Sequence, residues 1–276
     1  MKSKAARFAA GVLALFVLVA VFGPLLIPYD SVSTGVADRL LPPGSTRSDG
    51  AFAPLGTDQL GRDVLAQVVA GSRVSLLVAV TVVVVAGLLG LALGLLAGYY
   101  GGWLDTIISR IGDMQLAFPS ILLAILLAGA LGPSLTNVII ALAVTRWVIF
   151  ARVVRGSALS TRGREFVDSA RVMGAGDLRI MARYIYPSCV QPLLVAATVQ
   201  VGLTMVAEAA LSFLGLGVPI DQASWGSTIA NGRDYLASAW WIAAIPGLAL
   251  TLVVICIGLL GDAAREGADP AKAVVR

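Results

Sequence analysis

The chain has 276 residues, 58% hydrophobic and 13% charged, with a formal net charge of +4. So much apolar surface excludes a soluble globular core and places the chain among polytopic membrane proteins. Histidine is absent and the two cysteines, Cys189 and Cys256, sit in apolar runs. That removes His-based triads, His metal ligands, a zinc site and a disulfide framework.

Lys2, Lys4 and Arg7 precede an uncharged run from Phe8 to Tyr29. It is long enough to cross about 30 Å of hydrocarbon, and no A-x-A site closes it, so it reads as a first span rather than a signal peptide. A polar connection from Asp30 to Arg73 follows, broken by Pro42, Pro43, Gly44, Gly50 and Pro54. In its latter half Leu60, Val64, Leu65, Val68 and Val69 share one helical face, which predicts a helix on the membrane surface or against neighbouring spans.

The second span is expected at about Ser75 to Gly98, with Gly87, Gly90, Gly94 and Gly98 making a smooth face for close helix packing. A third runs from about Ile107 to Leu131, interrupted near its start by Arg110, Asp113 and Pro119. Arg110 and Asp113 are spaced to pair on one helical face. After a tight turn at Gly132-Pro133-Ser134, the fourth span runs to about Val154, the fifth covers about Ser188 to Leu214, and the sixth about Leu236 to Leu260. Three regions result: residues 1–73 with the first helix and the outer connection, residues 74–262 as a core of five helices, and a charged tail, residues 263–276.

With the N-terminus inside, the outer segments hold Arg39, Arg47, Arg62, Arg73 and Arg233, and the other fifteen basic residues fall inside or near the inner ends of helices. The positive-inside rule therefore predicts a multi-pass protein with both termini and the loop from Arg164 to Pro187 in the cytoplasm.

Two residues stand out within the spans. Glu208 costs roughly 2–3 kcal/mol or more in hydrocarbon, so it must face the bundle interior, water or a partner helix. It belongs either to the translocation path or a subunit interface, or to the outer end of its helix in polar surroundings. Arg146, with Arg152 and Arg155, sits in the inner half of the fourth span, and snorkelling anchors are the favoured account. No G-x-x-x-x-G-K phosphate loop, no paired intramembrane carboxylates and no basic-aromatic pattern for nucleic acid occurs.

The most informative stretch is Arg164 to Pro187. Arg164 to Met173 is built of good helix formers with Val167, Ala170 and Met173 on one stripe, and Gly174 supplies a left-handed end. Asp177 is placed to cap a second short helix, which Pro187 stops or follows with the next. A loop that only fixes topology does not need an apolar stripe, whereas a loop that docks does.

This stretch resembles the cytoplasmic EAA loop of permease subunits from binding-protein-dependent ABC importers. Ala170, Gly174 and Pro187 match the family pattern, while Asp168, Ser169 and Tyr186 stand where it has Glu, Ala and commonly Leu. Pro54 to Asp58 with Gly61 to Asp63, Leu211 to Gly217 with Trp225-Gly226, Gly232 to Tyr235, and Leu260 to Asp262 with Asp269-Pro270 are similar to the "C" type permease of the dipeptide and oligopeptide branch.

The resemblance implies an all-α membrane protein of six transmembrane helices with type I ABC importer permease architecture, and no enzyme. It implies a second permease subunit forming the path with this one, two cytoplasmic ATPase subunits that bind ATP and Mg, and an extracytoplasmic substrate-binding protein. The chain itself would carry no cofactor or metal and bind no nucleic acid. Val167, Asp168, Ser169, Ala170, Arg171, Met173, Gly174, Asp177 and Pro187 would form the coupling loop, with Val167, Ala170 and Met173 buried in an ATPase groove. Glu208 and Arg146 are candidates for the pathway or the subunit interface. The branch also includes nickel and glutathione systems; a stand-alone secondary carrier is the remaining alternative class.

Overall fold

The structure, a computed structural model, describes residues 4–27, 35–219 and 222–267. Five helices are long and apolar enough to cross a membrane, and a bent helix pair makes a sixth when counted as one span. They are α1 (Lys4–Leu26), α2 (Val64–Tyr100), the pair α3 (Gly102–Leu116) and α4 (Ser120–Leu131), α5 (Leu135–Arg162), α8 (Tyr186–Phe213) and α10 (Trp241–Gly267). Two short helices, α6 (Glu165–Val172) and α7 (Asp177–Ile180), lie between α5 and α8, and α9 (Trp225–Gly232) lies between α8 and α10.

The expected surface helix before the second span is not a separate element. Asp63 accepts from the backbone N–H groups of Leu65 and Ala66 and opens a single helix of 37 residues. No glycine or proline stops the chain until Gly101, at φ +69°. The boundary between residues 73 and 74 thus falls inside α2, and Leu60 lies before the helix, 41% exposed. At its start α2 meets a polar cap: Asp58 accepts from Arg62 Nε at 2.7 Å and Gln67 Nε2 at 2.9 Å, and Trp241 Nε1 donates to the Thr57 carbonyl at 3.1 Å. A two-stranded ribbon, β1 (Ser45–Thr46) with β2 (Phe52–Ala53), flanks this cap. Asp38 accepts from the Ser48 backbone N–H and hydroxyl at 2.7 and 2.8 Å, and those bonds hold its carboxyl below the usual range.

The third span is bent rather than straight, with α3 and α4 at 87°. Pro119 has no N–H to continue α3 and restrains Phe118, so the direction changes there. Arg110 and Asp113 do not pair with each other. Asp113 is bound by Arg152 at 2.6 Å, and Asp105 is bound by both Arg155 Nε and, at 2.6 Å, its Nη2. Arg152 and Arg155 are therefore interhelical clamps on α3, not snorkelling anchors.

The core forms where α2 and α5 pack side by side, with α4 and α8 over them, around Val78, Val82, Ala86, Leu142, Phe150 and Leu211. A Cβ at Gly94 would lie 2.6 Å from the Ala151 carbonyl oxygen, and one at Gly98 2.6 Å from Ala158 Cβ. Their missing side chains set how closely the two helices approach. The link after α8 is also structured: Ser224 and Ser227 form a reciprocal capping box, and Trp225 donates to the Val68 carbonyl at 2.9 Å. The last helix runs on to Gly267, so residues 263–267 continue it. Tyr29, Asp30, Asp269 and Pro270 lie outside the described residues.

Candidate functional site

The stretch from Arg164 to Pro187 folds as two short helices around a glycine. At the end of α6 the Gly174 N–H donates to Arg171 O at 2.9 Å and the Ala175 N–H to Ala170 O at 3.0 Å. That double bond pattern needs a left-handed residue, and Gly174 provides it at φ +82°. Asp177 does not cap α7, because Gly176 holds that position. Its carboxylate instead accepts from the Tyr99 hydroxyl at 2.6 Å, and the Arg171 guanidinium lies 5.8 Å from the Tyr99 ring centre. Asp168 and Arg171 join at 3.0 Å on the exposed surface.

Pro187 opens α8 rather than stopping α7. Residues Met181–Ile185 form a wide π turn, with the Tyr186 N–H donating to Met181 O, which gives the proline ring room without breaking the rod.

The apolar stripe of α6 is divided. Val167 and Ala170 are buried against this chain itself, in a cluster with Tyr99, Val154, Ala158, Ile180 and Ile185. They are not open to a partner's groove. The loop is thereby fixed to the ends of α2, α5 and α8, and the Thr161 and Ser188 hydroxyls, 2.8 Å apart, add a further tie. What faces outward is a different apolar set: Val172 at 90% exposure, Met173 at 76% and Leu178 at 78%, while Phe166 packs on Tyr184. Of these, only Met173 was named by stripe spacing. Val172 and Leu178 could have been found as apolar residues next to the glycine break in an otherwise charged segment.

Glu208 lies wholly inside the chain, 1% exposed. Ser212 Oγ donates to it at 2.7 Å and Ser75 Oγ at 3.2 Å, while Ser224 Oγ lies 3.3 Å from Ser212 Oγ. The carboxyl thus pins α2, α8 and the start of α9 together. Glu208→Leu should lower the stability of the purified chain by about 2–3 kcal/mol, since it strands buried hydroxyls, and Glu208→Gln should cost much less. Thermal unfolding in detergent measures both; equal melting of the two variants would refute the pin.

Arg146 lies in the first half of α5 rather than in the inner half of its span, because α5 extends to Arg162. It donates from Nη1 to Gln200 Oε1 at 2.7 Å and from Nη2 to the Leu203 carbonyl at 3.0 Å. At one end of the bundle, the polar cap before α2, the end of α9 with Arg233 to Tyr235, and Phe213 to Gly215 line a cavity of about 990 Å³.

Long apolar helices, one bent span and a short two-helix loop packed on the bundle at one end suit an integral membrane permease. The fold is similar to that of a solved MetNI methionine ABC transporter in inward-facing conformations, with a TM-score of 0.61 and 21% identity over 73% of this chain and 96% of that one. This is the type I ABC importer permease architecture.

The chain belongs to the family described as binding-protein-dependent transport system inner membrane component, which residues 90–273 match. Residues 1–43 match the N-terminal transmembrane domain of oligopeptide transport permease C. The di/tripeptide transport system permease protein DppC of Pseudomonas aeruginosa is 41% identical over 93% of this chain and 84% of its own length. The glutathione transport system permease protein GsiD of Pectobacterium atrosepticum is 38% identical over 95% of this chain and 86% of its own. Such permeases are transport subunits rather than enzymes.

Proposed function

We propose that this chain is the "C" type permease subunit of an ATP-driven importer of dipeptides or oligopeptides. It forms the translocation path with a second permease subunit and couples to two ATPase subunits, which bind ATP and Mg, through residues 164–187. An extracytoplasmic binding protein delivers the substrate. Both termini and the loop lie on the cytoplasmic side of the inner membrane, a reading supported by the seven arginines from Arg152 to Arg183.

The observation that carries the coupling role is the exposed set Val172, Met173 and Leu178 on a loop whose inner face is locked to the helix bundle. An apolar patch held on a rigid mount suits a partner's groove, and Asp168 with Arg171 gives polar register beside it. Closure of the ATPase subunits then moves the loop and the helix ends as one body and rocks the bundle. Moving such a gate from 1:99 to 99:1 takes roughly 5.5 kcal/mol of differential binding, supplied by the partners.

A cysteine at Met173, in a chain whose buried Cys189 and Cys256 are replaced by serine, is expected to crosslink to an ATPase subunit in membranes of the full complex. Absence of that crosslink, or labelling of the cysteine only from outside the cell, would overturn the docking role. Purification should bring ATPase subunits with the chain; a chain that purifies alone and transports without ATP would be a carrier. Glutathione is the second cargo reading, favoured by the relative from Pectobacterium, and binding assays on the cognate extracytoplasmic protein decide between it and a peptide.

A further inference from the structure

The geometry points to Arg146 as a carboxylate-binding residue that takes the C-terminal carboxylate of a peptide in transit. The inference rests on the importer reading above. Arg146 lies about 17 Å along α5 from its Leu135 end, deep enough that the guanidinium is far from both surfaces. The other two α5 arginines in ion pairs meet carboxylates, Arg152 on Asp113 and Arg155 on Asp105. Arg146 makes no ion pair among the described residues. Its acceptors are neutral, the Gln200 amide oxygen and the Leu203 carbonyl, and its buried Nε has no hydrogen-bond partner there.

A guanidinium with only neutral partners at this depth does not belong against lipid tails, because an unpaired charge there is strongly disfavoured. The α5–α8 face around it, with Val144, Val199, Leu203 and Val206 exposed, therefore borders the water-filled route between subunits. Gln200 is buried at 4% exposure and orients the guanidinium without neutralising it. The planar fork keeps N–H donors free and offers no acceptor, so it binds the carboxylate end of a peptide and repels its ammonium end. The same charge disfavours a bare divalent metal ion as cargo.

The test uses the complete importer in liposomes, with binding protein and ATP, and compares uptake of alanyl-alanine with that of alanyl-alaninamide. Arg146→Gln is expected to lower free-acid uptake by about tenfold or more through a raised KM, with amide uptake changed less than about twofold. Arg146→Lys, which keeps the cation, is expected to retain about a third or more of free-acid uptake. Equal losses in the Gln and Lys variants, or parallel losses for acid and amide, would overturn the assignment. A partner permease carboxylate as the true counter-ion appears as such parallel losses together with less partner in the purified complex. If the unmodified importer moves neither compound with ATP, the peptide reading itself fails; if it moves them and the variants behave alike, only the role of Arg146 fails.

Discussion

Gly174→Val is expected to leave the permease assembled in the membrane while cutting ATP-dependent uptake by about tenfold or more, with ATP hydrolysis continuing uncoupled from transport. A Cβ at residue 174 would meet nothing within 4 Å, so the substitution makes no clash. Its entire cost is conformational. At φ +82° a β-branched side chain meets its own backbone, at about 1–3 kcal/mol. The chain escapes by rotating out of the left-handed region, which breaks the Gly174 and Ala175 hydrogen bonds to α6 and swings Val172 and Met173 away from Leu178. The bundle beneath is untouched, so insertion and yield stay normal. Gly174→Asn, which tolerates this region, should keep most of the uptake. Uptake and hydrolysis measured together in proteoliposomes check both variants; tight coupling in Gly174→Val would show that the two short helices need no fixed angle.

The second large effect is expected at the α2–α5 seam. Gly90→Ala with Gly94→Ala should cost about 3 kcal/mol or more in total and sharply reduce the amount of chain in the membrane. An added Cβ at residue 94 meets the Ala151 carbonyl oxygen at 2.6 Å and Val154 Cβ at 2.8 Å; at residue 90 it meets the Ala151 amide nitrogen at 2.8 Å and collides with Phe150 Cβ. Backbone atoms cannot rotate away as a flexible side chain can, so the helices must separate along the core. Gly87→Ala is the control, because nothing lies within 4 Å of a Cβ there. It should stabilise the helix slightly, by about 0.5–1 kcal/mol, through reduced backbone freedom in the unfolded chain. Gel-filtration survival after heating reads both, and equal survival of the double variant and the control would remove the seam from the argument.

The parts that were legible in the sequence are those with local causes. Gly174 ends α6 as glycine chemistry predicts, Gly90, Gly94 and Gly98 pack closely as their spacing implies while Gly87 does not, and the most apolar spans follow uncharged runs. The start of α2 was also readable in principle, since Asp63 ahead of Val64, Leu65 and Ala66 is a capping signal that apolar periodicity obscured. The remainder depended on residues far apart in the chain. Tyr99 finds Asp177 across 78 positions and Ser75 finds Glu208 across 133, and no spacing rule announces either. Which half of the α6 stripe faces inward was likewise decided by α2, α5 and α8 rather than by α6 itself.

Residue 63 and residue 99 sit at opposite tips of a single column about 55 Å tall, roughly twice the thickness of the oily layer it crosses. One tip is braced by the Asp58, Arg62 and Gln67 knot, and the other is latched through a phenol to Asp177. A mast held fast at both tips does not fold when pushed; it leans, and a lean of five degrees carries the far tip sideways by about 5 Å. If this chain is an importer subunit as proposed, a delivery protein at one tip and a nucleotide-driven pull at the other are two readings of one inclination, felt at the same instant on both faces of the membrane.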